Sequence, residues 1–274
     1  MNRIDAAFAS LRQRGEKGLI LYLTVGDPDL ETTRLCALAV AAEGADVIEL
    51  GFPFSDPIAD GPIIQAASAR ALAGGMKWEK VWELGRSLRQ VTGVPLVLLS
   101  YYNPVLQYGE ERLARAAREA GLDGVMVPDL PWEEGESLRS ACEAEGLYLI
   151  PFLAPTSPPE RVARVAREGK GFIYCVSLTG VTGPRAHLPA QLRDMVARIR
   201  PFTSLPLAVG FGIAGPEQAR EAAEVADAVI VGSALVRVIA EAGLSPGERA
   251  RAAGTFSRSL RRALDEVKTG SGRR

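Results

Sequence analysis

The chain has 274 residues, of which 47% are hydrophobic and 24% charged, and its formal net charge is −1. This composition is typical of a globular enzyme, and the balanced charge argues against a nucleic-acid-binding protein. The apolar runs are shorter than the roughly 20 residues of a membrane span, and the charged start of the chain is unlike a signal peptide. Three scattered cysteines, Cys36, Cys142 and Cys175, argue against a disulfide framework and a cysteine metal site, so we expect a cytoplasmic protein.

Short apolar or β-branched runs recur along the whole chain and predict eight strands. The runs cover residues 19–24, 47–51, 95–101, 124–128, 148–153, 172–177, 206–210 and 228–232.

Amphipathic stretches between these runs predict helices. They cover residues 30–43, 110–120, 134–145, 159–167, 188–199 and 216–223. Continuously apolar strands that alternate with helices indicate a parallel sheet covered by helices. Eight such units predict an α/β fold, a (β/α)8 TIM barrel that forms a single domain over residues 1–274. An open doubly wound sheet is the alternative.

Further helices are predicted outside the eight units. They lie at residues 2–14, 77–91 and 246–267, before a frayed tail at about 269–274. The first of them carries Ile4, Phe8 and Leu11 at helical spacing, so we expect it to plug the N-terminal end of the barrel.

Active sites of such barrels lie at the carboxyl ends of the strands, which we call the mouth. The polar residues, tyrosines and glycines predicted there are Thr24, Asp27, Glu49, Asp56, Asp60, Tyr101, Tyr102, Asn103, Asp129, Ser177, Thr179, Thr182, Gly210, Gly212, Gly232 and Ser233. No lysine is predicted at a strand end, so a Schiff-base mechanism has no nucleophile. One histidine, His187, cannot build a histidine-rich metal site, and we therefore expect general acid–base catalysis without a metal.

Glu49 is unusual because it lies in an otherwise apolar strand. Burying a carboxylate without a partner costs several kcal/mol or forces the group to take up a proton. Asp60 follows eleven residues later, in a Pro/Gly-rich loop that can fold over the same mouth. Two carboxyls in different environments can form an acid–base pair. The alternatives are a salt bridge from Glu49 to a rim arginine, and a turn or N-cap role for Asp60.

Two glycine-rich strand ends late in the chain predict a phosphate site. Gly210 and Gly212 follow the seventh strand, and Gly232 and Ser233 join the eighth strand directly to a helix. The loops after the last two strands are the usual phosphate site of these barrels, and glycine lets backbone N–H groups approach an anion. The stretch "SLTGVTGPR" after the sixth strand is predicted to be a mobile lid, with a merely flexible surface loop as the alternative.

Six motifs appear in a fixed order along the chain, within residues 4–263. They are "TVGDP", "IELGFPFSDPIADGP", "SYYNPV", "SLTGVTG", "VGFGI" and "VGSALV". Together they closely resemble the α-subunit family of tryptophan synthase, and the motif from Glu49 to Gly61 is specific to that family. The resemblance implies retro-aldol cleavage of indole-3-glycerol phosphate to indole and glyceraldehyde 3-phosphate, as part of tryptophan biosynthesis.

The resemblance also implies a role for individual residues. Glu49 matches the general acid–base group, and Asp60 matches the carboxylate that holds the indole N–H. Tyr174 matches a tyrosine beside the catalytic glutamate, and Thr182 matches a lid residue that meets the Asp60 loop. Tyr22 stands where the family often has Phe, at a position that packs near the indole. The other implied substrate-binding residues are Ile64, Tyr101 and Phe211 around the indole, and Gly183, Gly212, Gly232 and Ser233 around the phosphate.

The family works as an αββα complex whose β subunit uses pyridoxal phosphate, so the resemblance implies that partner and no cofactor in this subunit. Apolar mouth residues that would fit an interface are Pro53, Phe54, Pro57, Pro104, Val105, Leu106, Pro128, Leu130, Pro131 and Trp132. Two alternatives differ in function. Another phosphosugar-binding barrel enzyme would require strand-end lysine or histidine residues. A catalytically silent barrel that activates a partner would have no need of both carboxyls.

Overall fold

The computed structural model describes residues 1–176, 190–210 and 212–267. Within these ranges the strands are β1 (Gly18–Thr24), β2 (Val47–Gly51), β3 (Leu96–Leu99), β4 (Gly124–Met126), β5 (Tyr148–Leu149), β6 (Phe152–Leu153), β7 (Ile173–Val176), β8 (Leu207–Gly210) and β9 (Ala228–Val231). The helices are α1 (Arg3–Arg14), α2 (Leu30–Ala42), α3 (Pro62–Ala73), α4 (Trp78–Arg89), α5 (Tyr102–Tyr108), α6 (Glu110–Glu119), α7 (Glu136–Ala144), α8 (Pro159–Glu168), α9 (Ala190–Ile199), α10 (Pro216–Ala223), α11 (Ser233–Ile239) and α12 (Pro246–Asp265), with a 3-10 turn at Arg200–Phe202. No helix in the described part of the chain is long and apolar enough to span a membrane.

The strands form one parallel sheet that closes into a barrel. Their order is β5-β4-β3-β2-β1-β9-β8-β7-β6, and every paired neighbour runs parallel. The ring closes at two residues between β5 and β6: the Ile150 N–H donates to the Val125 carbonyl, and the Pro151 carbonyl accepts from the Tyr174 N–H, both at 2.9 Å. The TIM-barrel prediction is therefore confirmed, and the open-sheet alternative is wrong.

The fifth predicted strand differs from the structure. Residues 148–153 form two short strands rather than one, because Pro151 has no N–H to donate and interrupts the ladder. The other predicted strands agree with the structure to within two residues, and the largest differences are at the ends of the third and fourth, which stop at Leu99 and Met126 rather than at 101 and 128. Helix α5 was not predicted, and α7 starts two residues later than expected. The predicted lid, His187 and the predicted tail lie outside the described residues.

Helix α1 closes the N-terminal end of the barrel, as predicted. The Asn2 side chain caps the helix by accepting from the Ile4 N–H at 2.9 Å. Ile4, Phe8 and Leu11 are all buried. They pack against inward-facing side chains from most of the strands: Ile20, Val47, Val97, Met126, Ile150, Phe172, Ala208, Ala228 and Ile230. The lower half of the barrel interior is therefore apolar.

Three aspartates at the N-terminal rim hold neighbouring strands together, and we call each arrangement an aspartate clasp. Asp46, Asp123 and Asp227 each stand one residue before a strand. Each donates its backbone N–H to the carbonyl of a leucine in the adjacent strand, and its carboxylate accepts that leucine's N–H at 2.8–2.9 Å. Each carboxylate is also paired with arginine. The clasps therefore fix the register of β1 with β2, of β3 with β4 and of β8 with β9.

Removal of one clasp is expected to destabilise the fold strongly. Asp123 is 3% exposed and binds both Arg89 and Arg3 at 2.9 Å. Asp123→Ala removes the carboxylate that neutralises Arg89 and leaves a strand N–H without its partner, so the free energy of unfolding should fall by about 3–5 kcal/mol. Urea unfolding measures this change. The control Glu31→Ala removes an exposed ion pair and should leave the value almost unchanged; equal effects of the two substitutions would contradict the clasp.

Candidate active site

Glu49 is the middle residue of β2, two residues before the carboxyl end of the strand. Its side chain is 1% exposed, and neither carboxyl oxygen has a hydrogen-bond partner among the described residues. Burial raises the pKa of this carboxyl from 4.5 to about 8. The alternative of a rim salt bridge is wrong within the described part of the chain. Glu49 is instead a largely protonated acid whose pKa lies close to neutral pH.

Two tyrosines, Tyr22 buried and Tyr174 half-buried, flank this carboxyl. Tyr22 is the register partner of Glu49 in β1, and Tyr174 comes from β7 on the opposite side, where its ring packs 4.9 Å from that of Phe152. Burial first, and then the charges of Glu49 and Asp60, raise the pKa of the Tyr174 hydroxyl. The pKa of the Tyr22 hydroxyl is also raised, by burial first and then by both carboxyls. Both carboxyls therefore lie close enough to both tyrosine hydroxyls to interact with them electrostatically.

Each tyrosine ring lies over a glycine of the neighbouring strand. A Cβ atom on Gly51 would lie 2.2 Å from the Tyr22 hydroxyl, and one on Gly210 would lie 2.5 Å from that of Tyr174. In both cases the glycine lies two residues after the residue that pairs with the tyrosine. The tyrosine ring reaches it because side chains in a strand lean along the strand direction. Sequence reasoning missed this role. The sequence signal that could have predicted it is a tyrosine in one strand together with a glycine at the end of the adjacent strand.

Asp60 lies over the mouth on the loop that follows β2. The Ala59 N–H donates to the Tyr101 hydroxyl at 3.0 Å. Burial raises the pKa of the Asp60 carboxyl to about 6, and a hydrogen bond from Tyr101 partly offsets that rise. Asp60 is not the N-cap of α3, because Gly61 occupies that position, but its N–H does close a turn on the Pro57 carbonyl at 3.0 Å.

The predicted phosphate residues are described only in part. A Cβ on Gly232 would lie 3.6 Å from the Tyr22 Cβ and 3.8 Å from the Ile64 Cδ1, so these three predicted residues lie together. Ser233 begins α11, and Gly212 is exposed with a φ of 52°. Other predicted residues lie outside the described part of the chain: Ser177, Thr179, Thr182, Gly183 and Phe211.

The sequence profile described as tryptophan synthase alpha chain matches residues 8–265 of this chain. The chain belongs to the tryptophan synthase alpha chain family. It is therefore a carbon–carbon lyase, and its activity is the alpha reaction of tryptophan biosynthesis.

Individual members of the family are similar over nearly the whole chain. The tryptophan synthase alpha chain of Caldanaerobacter subterraneus subsp. tengcongensis is 46% identical over 264 residues, which cover 96% of this chain and 100% of that protein. The alpha chain of a Geobacter species is 53% identical over 237 residues, 86% of this chain and 89% of that one. Crystallographic tryptophan synthase subunit alpha from Legionella pneumophila superposes with a TM-score of 0.88 at 39% identity, covering 97% of this chain and 100% of that chain.

Two of the carboxylates predicted at the strand ends of this chain, Asp27 and Asp129, bind other parts of the fold and so have a structural role. Asp27 is 3% exposed and binds Arg70 of α3 through two hydrogen bonds of 2.7 and 2.9 Å. The Asp129 carboxylate accepts the N–H of Tyr102 at 2.9 Å. Asp56 is exposed at the mouth. Within the described ranges, no group of three or more His, Cys, Asp or Glu residues is placed to hold a metal ion.

A cavity of about 290 Å³ lies beside the site, between the loops that follow β4 and β6. Its lining is mostly apolar: Val127, Pro128, Leu130, Pro131, Trp132, Leu149, Ile150, Pro151, Phe152, Leu153, Ala154 and Val176, with Asp129, Gly135, Ser157 and Arg161. None of the predicted substrate-binding residues that the structure describes lines it. Phe152 connects the two regions, because its ring also packs on Tyr174.

The apolar residues predicted to face a partner divide into a buried group, a half-buried group of Phe54, Pro57, Pro128 and Leu130, and an exposed group of Leu106 and Pro131. Pro53, Pro104, Val105 and Trp132 are buried, so that part of the prediction is wrong. Val105 and Trp132 pack into the main hydrophobic core. Leu106 is 58% exposed, and Ile58, which sequence reasoning did not include, is 83% exposed.

A methyl group at Gly51 is expected to disturb the site without unfolding the chain. Gly51→Ala would place Cβ against the Tyr22 hydroxyl and push the ring away from Glu49. We expect the alpha reaction to slow by about tenfold or more, because small displacements of catalytic surroundings are costly. Steady-state assays with far-UV circular dichroism measure this. Gly93→Ala is the control, since nothing lies within 4 Å of its Cβ position; a silent Gly51→Ala would contradict the tyrosine–glycine contact.

The raised pKa of Glu49 predicts how its substitution depends on pH. The folded protein retains this proton up to about pH 8, whereas the unfolded chain loses it near 4.5. The stability of the wild type is therefore not reduced by Glu49 below pH 4.5, and it falls as pH rises from 4.5 through 8, because only the unfolded chain can release the proton easily. The melting temperature of Glu49→Gln minus that of the wild type should therefore grow from pH 5 to pH 8.5.

Thermal melts across this range check the prediction. Glu31→Gln should give a flat difference, since hydrogen bonding from Arg34 lowers the pKa of that exposed carboxyl. A flat difference for Glu49→Gln as well would mean that the carboxyl is not held protonated.

Proposed function

We propose that this chain cleaves indole-3-glycerol phosphate to indole and glyceraldehyde 3-phosphate, with Glu49 as the acid–base group. The observation that carries this proposal is a carboxyl group that is 1% exposed, without a hydrogen-bond partner among the described residues, and with a pKa of about 8. A general acid–base catalyst works best when its pKa lies near the working pH.

Both proton transfers of a retro-aldol cleavage can be assigned to this group. A proton adds to the indole ring carbon that bears the glycerol chain, and the ring nitrogen takes positive charge. The carbon–carbon bond then breaks, its electron pair returns to the ring, and the adjacent glycerol hydroxyl loses its proton to become the aldehyde. Glu49 gives the first proton and receives the second, so the step consumes no net proton and calls for no redox partner.

Asp60 is proposed to hold the indole N–H and to stabilise the positive charge on the ring. Its position over the mouth is fixed by the Tyr101 hydroxyl, which binds Ala59 N–H and Asp60 itself. A pKa of about 6 leaves Asp60 mostly ionised at neutral pH, where Glu49 is mostly protonated. The two carboxyls thus hold the opposite protonation states that their two roles require.

Aromatic and branched side chains are proposed to bind the flat indole, and backbone amides near glycines to bind the phosphate. The indole residues are Tyr22, Ile64, Tyr101, Tyr174 and Phe211. The phosphate residues are Gly183, Gly212, Gly232 and Ser233, with Thr182 closing the lid toward Asp60. The contact of Gly232 with Tyr22 and Ile64 supports a phosphate next to the ring pocket.

We also propose the assembly in which the chain works. Solved relatives include tryptophan synthase from Mycobacterium tuberculosis, with a TM-score of 0.87 at 34% identity over 96% of this chain and 98% of that one. The proposed partner is the β subunit of an αββα complex, with pyridoxal phosphate in that subunit and no cofactor in this chain. Three buried free cysteines support a cytoplasmic location, and we propose that residues 1–274 form one domain.

Substitution of Glu49 tests the proposed function. Glu49→Gln preserves the shape of the side chain but cannot exchange the proton, so indole release from indole-3-glycerol phosphate should fall at least about 10²-fold. The assay is run with and without the β subunit. Glu79→Gln, on the exposed surface of α4, is the control. Wild-type chain that releases no indole in either assay would favour the catalytically silent barrel.

A further inference from the structure

Four aromatic residues form a continuous stack below the loop that carries Asp60. The rings of Phe52 and Trp78 lie 3.8 Å apart at an angle of 4°, and those of Trp78 and Trp82 lie 5.4 Å apart at 12°. The Tyr108 ring packs 5.3 Å from Trp78 and 6.0 Å from Trp82. Trp78, the first residue of α4, is thus in contact with all three other rings. We call Phe52, Trp78, Trp82 and Tyr108 the aromatic stack.

One side of the aromatic stack fixes the start of the Asp60 loop. Phe52 directly follows the last residue of β2, and its N–H donates to the Leu99 carbonyl of β3 at 2.8 Å. The loop runs from Phe52 to Asp60. The nearly parallel contact of Phe52 with Trp78 therefore sets the direction in which the loop leaves the barrel.

The other side of the stack fixes the end of the same loop, through α5. Tyr108 is the last residue of this helix, and its hydroxyl accepts from the Trp82 indole N–H at 3.1 Å. Tyr101 is the N-cap at the opposite end, and its hydroxyl binds Ala59 and Asp60. A helix of seven residues is a rigid rod of about 10 Å. A shift of Tyr108 would therefore be transmitted to Tyr101 and from there to Asp60.

We propose that Trp78 is a positioning residue for Asp60, because two connections of the Asp60 loop, one through Phe52 and one through Tyr101 and α5, meet at its ring. This inference rests on the proposed role of Asp60 in the alpha reaction. Trp78 itself is not a catalytic residue. It acts through Phe52 on one side and through Tyr108, α5 and Tyr101 on the other. A misplacement of about 1 Å can slow an enzymatic step by about 10²-fold, so a remote ring can have a large effect.

A double-mutant cycle between Trp78 and Asp60 tests the proposal on the full chain, assayed alone and with the β subunit. Trp78→Leu removes the ring from the stack, and we expect kcat for cleavage to fall about tenfold. Trp78→Phe keeps a ring against Phe52 and should restore most of that loss. In an Asp60→Asn background, Trp78→Leu should change the remaining kcat by less than about twofold, because there is no carboxylate left to position.

Two further outcomes separate positioning from simple loss of packing. A looser loop would expose Asp60 to water, so the acidic limb of kcat/KM against pH should move to lower pH in Trp78→Leu. Phe8→Leu is the control: it removes a buried ring pair at the opposite end of the barrel, and the pH profile should stay in place even if the melting temperature falls. If Trp78→Leu does not fold, Phe52→Leu and Tyr108→Leu each break one connection and should each give part of the effect.

The proposal is overturned if the kcat losses of Trp78→Leu and Asp60→Asn simply multiply, or if the acidic limb does not move. Wild-type activity in Asp60→Asn alone would instead reject the proposed role of Asp60, and with it this inference. The single and the double variants therefore distinguish the two failures.

Discussion

Burial of the Glu49 carboxyl is the constraint on which the rest of the barrel depends. Such a group destabilises the fold by several kcal/mol when ionised, so it can be kept only where surrounding packing is strong and water is excluded. Here α1 fills the lower interior, and two tyrosines lying over glycines enclose the carboxyl from the sides. The contrast with Asp123 is direct: that carboxylate, equally buried, is bound by two arginines and a strand N–H. The paired carboxylate stabilises the fold, whereas the unpaired one retains a reactive proton.

The architecture could be predicted because it follows from local patterns. Continuously apolar runs that alternate with amphipathic helices specify a parallel barrel, and the plug was visible from the helical spacing of Ile4, Phe8 and Leu11. The position of Glu49 was predictable for the opposite reason: an ionisable residue in an apolar strand contradicts its surroundings, and such conflicts mark functional sites. Asp60 was predicted from its motif, but its hydrogen bond with Tyr101 was not.

What could not be predicted depends on contacts between distant segments. The tyrosine–glycine contacts and the aspartate clasps require the register of neighbouring strands, which no single stretch of sequence contains. Helix α5 was missed because its residues were interpreted as the end of the third strand and an apolar loop after it. Trp132 and Pro53 were expected at an interface, yet they are buried, because an apolar residue in a loop can pack inward as well as outward. The aromatic stack joins residues of three separate elements and became visible only with the fold.

The aspartate clasps divide the barrel into pairs of strands. They join β1 with β2, β3 with β4 and β8 with β9, so six of the eight barrel strands, with β5 and β6 counted as one, belong to a pair that is clasped at the N-terminal rim. The corresponding position before β7 is Phe172, which packs on Phe8 of the plug instead. The remaining quarter, β5 and β6 with β7, also contains the proline interruption, and we expect it to open first in native-state hydrogen exchange. Tyr174 and the cavity lie in this part of the barrel, so an opening of these strands would change the surroundings of the active site while the clasped pairs keep their register.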